Sequence, residues 1–367
     1  MRRFVIFLNF AFILAISLLT TSCHNRNKTT DENEQIALTE ETVTAFAQDI
    51  VKGIVNGDAE TLNKAIDKEH IKQLVCENSI VYSGFDVDGG QEYFDNCLRL
   101  GDKAVNAVNS GGDYAFVKYY VKDNQHHIIM REYLDFTVDF TDFIVDTVKG
   151  KLMIKDCFQY SAGCNLSKDI ESRMLYNLML QTNPDSDVKF LQEADQLAHT
   201  KQYAKSLGIL QAHKDALKNY AQFYQLLIAD LSQMSGDFTT KLDDFQEEID
   251  IRTILLHKLL YRTFQTNAKS TNTLAEYEEN INALIDHTGD DPIYLFLYGY
   301  KAENFNRQDA ITCYKSVEKA MPLFWDLWER ELKCYSLEGD SAAYKTCLEK
   351  GKTAFALSDE EIRKMNL

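Results

Sequence analysis

The sequence predicts an α+β N-terminal domain, with helices packed on a curved antiparallel sheet, followed by an all-α domain of paired helices. Helix breakers are scarce, since the 367 residues include only 3 prolines and 16 glycines while 45% are hydrophobic. This composition favours helices over a turn-rich all-β chain. Apolar spacings of three and four residues are interrupted by one strand-like stretch over residues 114–160. Near the C-terminus, a pattern of paired helices repeats after 34 residues.

The charge of the chain limits its partners. The formal net charge is −17, with 56 acidic against 39 basic residues. Nucleic acids require a basic face on the protein, so we expect no nucleic-acid partner. The sequence also contains no phosphate-binding loop, nucleophile elbow or set of metal ligands with a recognisable spacing. We therefore predict no catalytic residue, no cofactor and no metal site, and favour a non-enzymatic role, although enzymatic activity stays open.

The N-terminus has the features of an export signal. Arg2 and Arg3 form a short positive segment, and residues 4–19 are almost entirely apolar, too short for a comfortable transmembrane helix. Small residues then precede Cys23, a pattern that resembles the lipobox of bacterial lipoproteins. The pattern departs from the usual one because Thr20 stands where leucine is expected.

This resemblance implies that residues 1–22 are a lipoprotein signal peptide and that the Cys23 thiol receives the lipid, diacylglycerol with palmitate. An ordinary signal peptide with an incidental cysteine, or an uncleaved anchor, stays open as an alternative. Loss of residues 1–22 changes the net charge from −17 to −19, because two arginines leave. The polar residues 23–37 then form a flexible tether. We expect a lipid-anchored protein of the cell envelope, in the outer membrane if the cell is Gram-negative.

Export would place the other seven cysteines in a compartment where disulfides form. Cys76 with Cys97 and Cys157 with Cys164 are conceivable bridges, but the sequence cannot choose among the pairings. No pair has the spacing of a redox dithiol or a zinc site. For the three cysteines in the C-terminal helices, burial as small apolar side chains is an equal alternative.

Residues 38–165 form the predicted α+β domain. Apolar periodicity predicts helices over residues 39–56, 59–66, 70–76 and 91–100. Strand-like alternation follows over residues 114–121, 127–135, 136–148 and 152–160. Asp123-Asn124 and Lys149-Gly150-Lys151 are turn sequences that join consecutive strands. Helices followed by a long antiparallel sheet predict one helical layer on one curved sheet.

The order of these elements resembles the cone-shaped nuclear-transport-factor-2-like fold, with residues 136–163 as its closing hairpin. The resemblance implies a cavity that some members use as an isomerase, cyclase or dehydratase site and others for ligands or dimer contacts. A base with an aromatic partner could come from Asp139, Asp142, Asp146 or Asp156 with Tyr133 or Tyr160. Because Asp139 and Asp142 have opposite parity along a strand, we expect them on opposite faces, as solvated acids.

Two other short patterns have plain interpretations. His126 and His127 are adjacent, so in a strand they point to opposite faces, and beside a turn we expect both at the surface. The segment Asp86-Val87-Asp88-Gly89-Gly90 faintly resembles a calcium loop. However, glycine stands at the fifth position, where a ligand is needed. We expect a plain turn there.

The C-terminal half predicts helices almost throughout. Residues 166–186 form a connector helix and hinge, broken at Asn183-Pro184-Asp185. Residues 187–367 then form amphipathic helices in four to five pairs. A shift of 34 residues superposes Tyr294 on Trp328 and Cys313 on Cys347.

This period, together with Trp328, Leu332, Tyr335 and Gly339, resembles the tetratricopeptide repeat. The resemblance implies a stack of helical pairs whose concave face binds a peptide or a protein segment. We therefore expect a protein–protein interaction scaffold, held at the membrane through lipidated Cys23, with a protein or peptide partner on the repeats. The alternative is a small-molecule-binding or enzymatic cone cavity with the helical array as an accessory.

Overall fold

The computed structural model describes residues 37–77, 79–85, 89–183, 185–234, 238–265, 271–358 and 360. These residues form two compact units, one of residues 37–265 with 279–289 and one of residues 271–278 with 290–358. The first unit contains an antiparallel sheet of five strands with helices, and the chain then continues in helices. The predicted fold class, an α+β region followed by an all-α region, is confirmed.

The helices that precede the sheet begin with α1, whose N-terminus is capped by Thr39 in a capping box with Thr42. They are α1 (Glu40–Val55), α2 (Glu60–Asn63), α3 (Lys68–Val75), α4 (Ser79–Gly84), α5 (Gly90–Cys97) and α6 (Leu100–Asn109). The strands are β1 (Asp113–Lys122), β2 (Gln125–Leu134), β3 (Thr137–Val148), β4 (Lys151–Gln159) and the short β5 (Cys164–Asn165). Each strand pairs antiparallel with the next one along the chain.

Two-residue turns connect the first four strands. Both residues of each turn have positive φ: Asp123 and Asn124 (51° and 61°), Asp135 and Phe136 (49° and 63°), and Lys149 and Gly150 (50° and 77°). Two consecutive left-handed residues make a turn whose twist matches that of the flanking strands. Phe136 does not favour this conformation by itself. Its N–H group donates to the Tyr133 hydroxyl at 3.1 Å, which helps to hold the turn.

One face of the sheet packs on the N-terminal helices and on α7 (Leu166–Thr182). The apolar side chains of this core are almost fully buried, and they include Ile50, Ile54, Phe94, Ile128, Met130, Phe143, Val145, Ile154 and Ile170. Each such side chain stabilises the fold by about 1.5–3 kcal/mol relative to full exposure. The helical layer therefore covers this face of the sheet, which we call the inner face.

The helix predicted over residues 91–100 corresponds to α5, which ends at Cys97, and the next helix, α6, was not predicted. The chain resumes a helix at Leu100 because Gly101 lets it approach the segment before α2 closely. A Cβ atom at residue 101 would lie 2.1 Å from the Ala59 carbonyl oxygen. The Gly101 N–H group also donates to Asn63 Oδ1 at 2.8 Å. Such close backbone approach cannot be read from hydrophobic periodicity.

Some of the first helices after the sheet are too short for a regular repeat of helical pairs. After α7 come α8 (Val188–His199), α9 (Tyr203–Ala212), α10 (Lys214–Leu217), α11 (Ala221–Gln233), α12 (Phe238–Asp243), α13 (Ile251–Phe264) and α14 (Thr271–Thr288). A second apolar core joins α8 to α13 and includes Leu191, Leu210, Phe223, Leu227, Phe238 and Ile254. The predicted hinge near residue 184 lies between α7 and α8, and both helices belong to the same compact unit.

Four helices over residues 292–355 repeat in pairs. They are α15 (Pro292–Ala302), α16 (Arg307–Ala320), α17 (Trp325–Glu338) and α18 (Ser341–Phe355). The first residues of α16 and α18 are 34 positions apart, and Tyr294 of α15 and Trp328 of α17, also 34 apart, are both buried. The repeat in the sequence thus corresponds to a repeat in helix positions.

A largely buried ion pair joins the two helical pairs. The Glu303 carboxylate accepts hydrogen bonds from the Tyr314 hydroxyl at 2.5 Å and from Arg330 Nε at 2.7 Å. The second Glu303 oxygen accepts from Arg330 Nη2, and the guanidinium lies 4.7 Å from the centroid of the Tyr300 ring. Residues of α16, α17 and the end of α15 therefore share one charged centre.

Candidate functional site

A cluster of polar and aromatic side chains lies on the outer face of the sheet, opposite the helical layer, where α13 packs against β3. We call it the outer-face cluster: Tyr120, His127, Asp142, Phe158, Tyr160 and Arg252. The antiparallel register explains the grouping. Tyr120 of β1 pairs with His127 of β2, and Asp142 of β3 pairs with Phe158 of β4. Paired residues share a face of the sheet, so separate strands place these side chains together.

Asp142 is the centre of the cluster and is only 2% exposed. Its Oδ2 atom accepts hydrogen bonds from the Tyr120 hydroxyl at 2.5 Å and from Arg252 Nη1 at 3.1 Å. Its Oδ1 atom lies 3.0 Å from His127 Nδ1, which donates when it is protonated. A buried carboxylate with three donors is satisfied in both charge and hydrogen bonding.

Arg252 reaches the sheet from the first turn of α13. Asp250, which caps this helix through the Arg252 N–H group, accepts from Arg252 Nε at 2.9 Å and Nη2 at 3.0 Å. The guanidinium carbon lies 3.8 Å from the centroid of the Phe158 ring and 5.2 Å from that of the Tyr160 ring. Arg252 is therefore held by two carboxylates and two aromatic rings.

Burial and charge shift the pKa values of Tyr120, Arg252 and Asp250. Burial, the Asp142 charge and the hydrogen bond to it raise the pKa of the Tyr120 hydroxyl. Burial disfavours the charged forms of Arg252 and Asp250, but the hydrogen bonds between the two side chains favour these forms more strongly. The pKa of Arg252 is therefore raised and that of Asp250 is lowered. Tyr120 is thus a neutral donor at neutral pH, and Arg252 and Asp250 are ionised.

This geometry can bind a cation and orient an imidazole. Because Asp142 accepts from His127 Nδ1, the neutral ring keeps Nε2 as an acceptor. The Tyr120 ring stacks on the His127 ring, with centroids 4.6 Å apart at an interplanar angle of 18°. Carboxylate–imidazole pairs serve as bases in many enzymes. In this chain the His127 side chain is only 10% exposed, so a substrate would have little access to it. The cluster is therefore better suited to holding a cation at Asp142 than to using His127 as a catalytic base.

The acids singled out from the sequence are distributed over separate places. Asp139 and Asp142 are not brought together, since Asp139 accepts instead from Ser161 N–H at 3.0 Å and from the Ser161 hydroxyl. Asp146 is exposed. The expectation that Asp142 and Asp156 lie in solvent is wrong, because both are buried. Asp156 accepts from the backbone N–H and hydroxyl of Ser167 in the first turn of α7.

Asp139 has a neighbour of the same charge. Glu132 is its register partner on β2, and strand alternation puts both on the inner side of the sheet. Burial raises the pKa of the Asp139 carboxyl to about 6 against the hydrogen bonds from Ser161 and Phe140, and the Glu132 charge adds to the rise.

Of the two aromatic partners singled out with these acids, Tyr133 is fully buried with its hydroxyl at the turn of Phe136, and Tyr160 belongs to the outer-face cluster.

The expectation that His127 lies at the surface is wrong. Its neighbour His126 is partly exposed and bonds to the Tyr119 hydroxyl at 2.8 Å, but His127 is buried beside Asp142. The outer face of a two-layer domain would meet solvent, whereas here α13 covers it. Sequence reasoning also missed Tyr120 and Arg252. The parity of Tyr120 with His127 across the Asp123-Asn124 turn was a usable signal, but nothing near Arg252 indicated its contact with β3.

An open groove, which we call the α16–α18 groove, lies on the C-terminal helices. Its volume is about 770 Å³, and its walls are Glu318, Pro322, Trp328, Lys345, Thr346, Glu349, Lys350, Thr353 and Ala354. Trp328 is fixed because its Nε1 atom donates to the Pro322 carbonyl at 3.0 Å. Lys350 and Glu318 form an ion pair of 3.0 Å across the groove.

The other predicted sites lie outside the described residues or are not formed within them. Cys23 and residues 86–88 of the calcium-loop-like segment lie outside the described residues. The other cysteines, Cys76, Cys97, Cys157, Cys164, Cys313, Cys334 and Cys347, are free thiols, so neither conceivable bridge is formed. Within the described ranges, no group of three or more potential ligands is placed to hold a metal ion. No helix in that part of the chain is long and apolar enough to cross a membrane.

Comparison with known proteins does not assign a family. No protein-family model matches the chain, and no curated protein or solved structure is similar enough to count as a relative.

Proposed function

We propose that this chain is a lipid-anchored protein of the cell envelope that holds a protein or peptide partner through tetratricopeptide-like helical pairs. The observation that supports the proposal best is the 34-residue repeat, which recurs in the helix bounds of α15–α18 and in the buried positions Tyr294 and Trp328. Stacked helical pairs bury their apolar faces against each other and leave continuous grooves. Such surfaces commonly bind extended or helical segments of other proteins.

The α16–α18 groove is the part of the repeats that we propose for partner contact. It offers the edge of a buried tryptophan surrounded by two threonines, two lysines and two glutamates, of which Lys350 and Glu318 form an ion pair. Aromatic side chains at the centre of a contact with a polar surround are typical of protein-binding surfaces. The overall charge of −17 favours a basic partner and speeds its association.

The chain offers a matched pair of positions for a test. Thr346 lines the groove, whereas Thr312, 34 residues earlier, is exposed outside it. Each hydroxyl bonds to the carbonyl four residues before it, at 3.0 Å and 2.9 Å. We expect Thr346→Arg to reduce the recovery of a specific membrane-associated partner about tenfold, which corresponds to a loss of about 1.4 kcal/mol of binding free energy. Thr312→Arg should leave the recovery unchanged.

The measurement is quantitative mass spectrometry of proteins that are cross-linked to, and purified with, the full-length chain. Both variants must first give the same circular dichroism spectrum and thermal midpoint as the natural chain. Equal recovery of the same partners with both variants would exclude the groove as the contact, and recovery of no partner above a mock purification would contradict the scaffold function itself.

A second candidate function is a small-molecule-binding or enzymatic cone cavity. The observation that favours it is the Asp139 carboxyl, whose pKa burial raises to about 6 next to Glu132. Raised carboxyl pKa values are typical of general acids and bases. The inner face of the sheet is otherwise filled by apolar side chains such as Met130, Phe143 and Val145, which supports the scaffold as the first choice. A metabolite screen that detects no ligand whose binding Asp139→Asn weakens would remove this candidate.

A further inference from the structure

We propose that the outer face of the sheet is a guanidinium-binding site. Arg252 fills it within the chain, and another guanidinium ligand, such as an arginine side chain, binds there when Arg252 is absent. The residues involved belong to the sheet and to α13, so the proposal does not depend on the scaffold function. Arg252 of α13 then contacts Asp142 of β3 in the same way as a separate guanidinium ligand would.

The sheet builds this site without help from Arg252. The Tyr120 hydroxyl and His127 Nδ1 hold the Asp142 carboxylate at 2.5 Å and 3.0 Å. The stacked rings of Tyr120 and His127 form one wall, and a second wall is formed by Phe158 with Tyr160, whose ring centroids are 5.7 Å apart at an angle of 69°. Because these contacts are between strands of one sheet, we expect the site to be preformed.

The chemistry of the site selects a cation. Asp142 is 2% exposed, and its two donors from the sheet, Tyr120 and His127, are neutral when the histidine is unprotonated. A buried carboxylate that loses its cationic partner is strongly unfavourable, so a vacated site attracts a positive charge. This requirement alone would admit an ammonium group as well as a guanidinium group.

The aromatic wall selects the guanidinium group. The Arg252 guanidinium carbon lies 3.8 Å from the Phe158 ring centroid, a distance at which a planar cation covers the face of the ring. Guanidinium is planar and weakly hydrated and combines such stacking with in-plane hydrogen bonds, whereas ammonium is compact and strongly hydrated. We therefore expect guanidinium compounds to bind better than ammonium compounds of the same size.

The other bonds of Arg252 are local to its own helix. Asp250, only two residues earlier, accepts from Nε and Nη2 and also caps α13. These bonds aim the side chain but are not part of the receptor on the sheet. A ligand in solution therefore needs only Asp142 and the aromatic wall, and it reaches them when the Arg252 side chain is shortened to alanine.

The test is chemical rescue of the full-length chain with Arg252→Ala. The probes are ethylguanidinium chloride and, as the control, ethylammonium chloride at the same concentration. With a dissociation constant of about 10 mM, ethylguanidinium at about 40 mM raises the thermal midpoint of the variant by about 2–4 °C more than ethylammonium does. We expect the natural chain, whose site is filled, and the double variant Arg252→Ala with Asp142→Asn to show no such difference.

Each alternative outcome counts against the proposal. An equal response of Arg252→Ala to the two probes would exclude a guanidinium site. If ethylguanidinium also raised the thermal midpoint of the natural chain above the value in ethylammonium, by as much as in Arg252→Ala, the binding would lie elsewhere. If Arg252→Ala does not fold by itself, the readout becomes the yield of refolding from urea. Ethylguanidinium must then raise that yield at least threefold over ethylammonium, and failure to do so overturns the proposal.

Discussion

Two glycine-to-alanine substitutions in helix interiors should change stability in opposite directions. Gly208 lies in α9, is exposed, and would meet no heavy atom within 4 Å of an added Cβ. Gly299 lies in α15, where an added Cβ would be 2.8 Å from Tyr314 Cε1 and 3.1 Å from Cys313 Cβ. The same chemical change therefore tests intrinsic helix propensity at one site and close helix packing at the other.

The expected magnitudes follow from these surroundings. Gly208→Ala should stabilise α9 by about 0.5–1 kcal/mol, because alanine loses less backbone entropy than glycine. At residue 299 the same gain is opposed by overpacking, which costs about 1–3 kcal/mol. The Tyr314 ring cannot move away cheaply, since it is fully buried and its hydroxyl is bonded to Glu303. We expect Gly299→Ala to destabilise the helical pair by about 1–2 kcal/mol.

Amide hydrogen exchange followed by mass spectrometry measures the two effects locally. Protection of α9 should increase in Gly208→Ala, and protection of α15 and α16 should decrease in Gly299→Ala. A Gly299→Ala chain that gains as much protection as Gly208→Ala would refute the close packing of α15 on α16, and with it the argument that these helices form one repeat.

Three further predictions concern the anchor, the Asp139 carboxyl and the ion pair between repeats. Cys23→Ser should move the chain from the membrane pellet to the soluble fraction, and unchanged association would contradict lipidation as its cause. Since the pKa of the Asp139 carboxyl is raised to about 6, the folded chain binds this proton more tightly than the unfolded chain does. The free energy of unfolding should therefore fall as the pH rises from about 4 to about 6, and urea titrations of Asp139→Asn should lack this fall. Arg330→Ala should cost about 2–3 kcal/mol in the same assay because the Glu303 carboxylate, whose side chain is 9% exposed, loses its cationic partner. Lys64→Ala, which breaks an exposed pair, should cost less than about 0.5 kcal/mol.

Local patterns in the sequence were sufficient for most element types, although the helices α4 and α6 were not predicted. The strands β1 and β4 were predicted within about two residues of their bounds, because alternation is strong there. The turn at Asp135 and Phe136 was not anticipated, since phenylalanine rarely adopts positive φ. The Tyr133 hydroxyl, which bonds to the Phe136 N–H group, supplies part of what the local sequence lacks.

The candidate site was only partly accessible from the sequence. The opposite parity of Asp139 and Asp142 correctly kept these acids apart. The outer-face cluster depends on a contact between Asp142 and Arg252, which are separated by 110 residues. No periodic pattern specifies which helix covers the outer face of a sheet, so a buried His127 could not be distinguished from an exposed one. Side chains at long-range contacts are set by tertiary packing rather than by local propensity.

The two-residue turns of the sheet have a consequence for how the chain folds. Every pairing among β1, β2, β3 and β4 joins neighbours along the chain, so the contact order of the sheet is low and little loop entropy is lost when each hairpin closes. We therefore expect the strands within residues 113–159 to pair early in folding. The slow steps of folding should be those that bring α7 and α13 back onto a sheet that already exists.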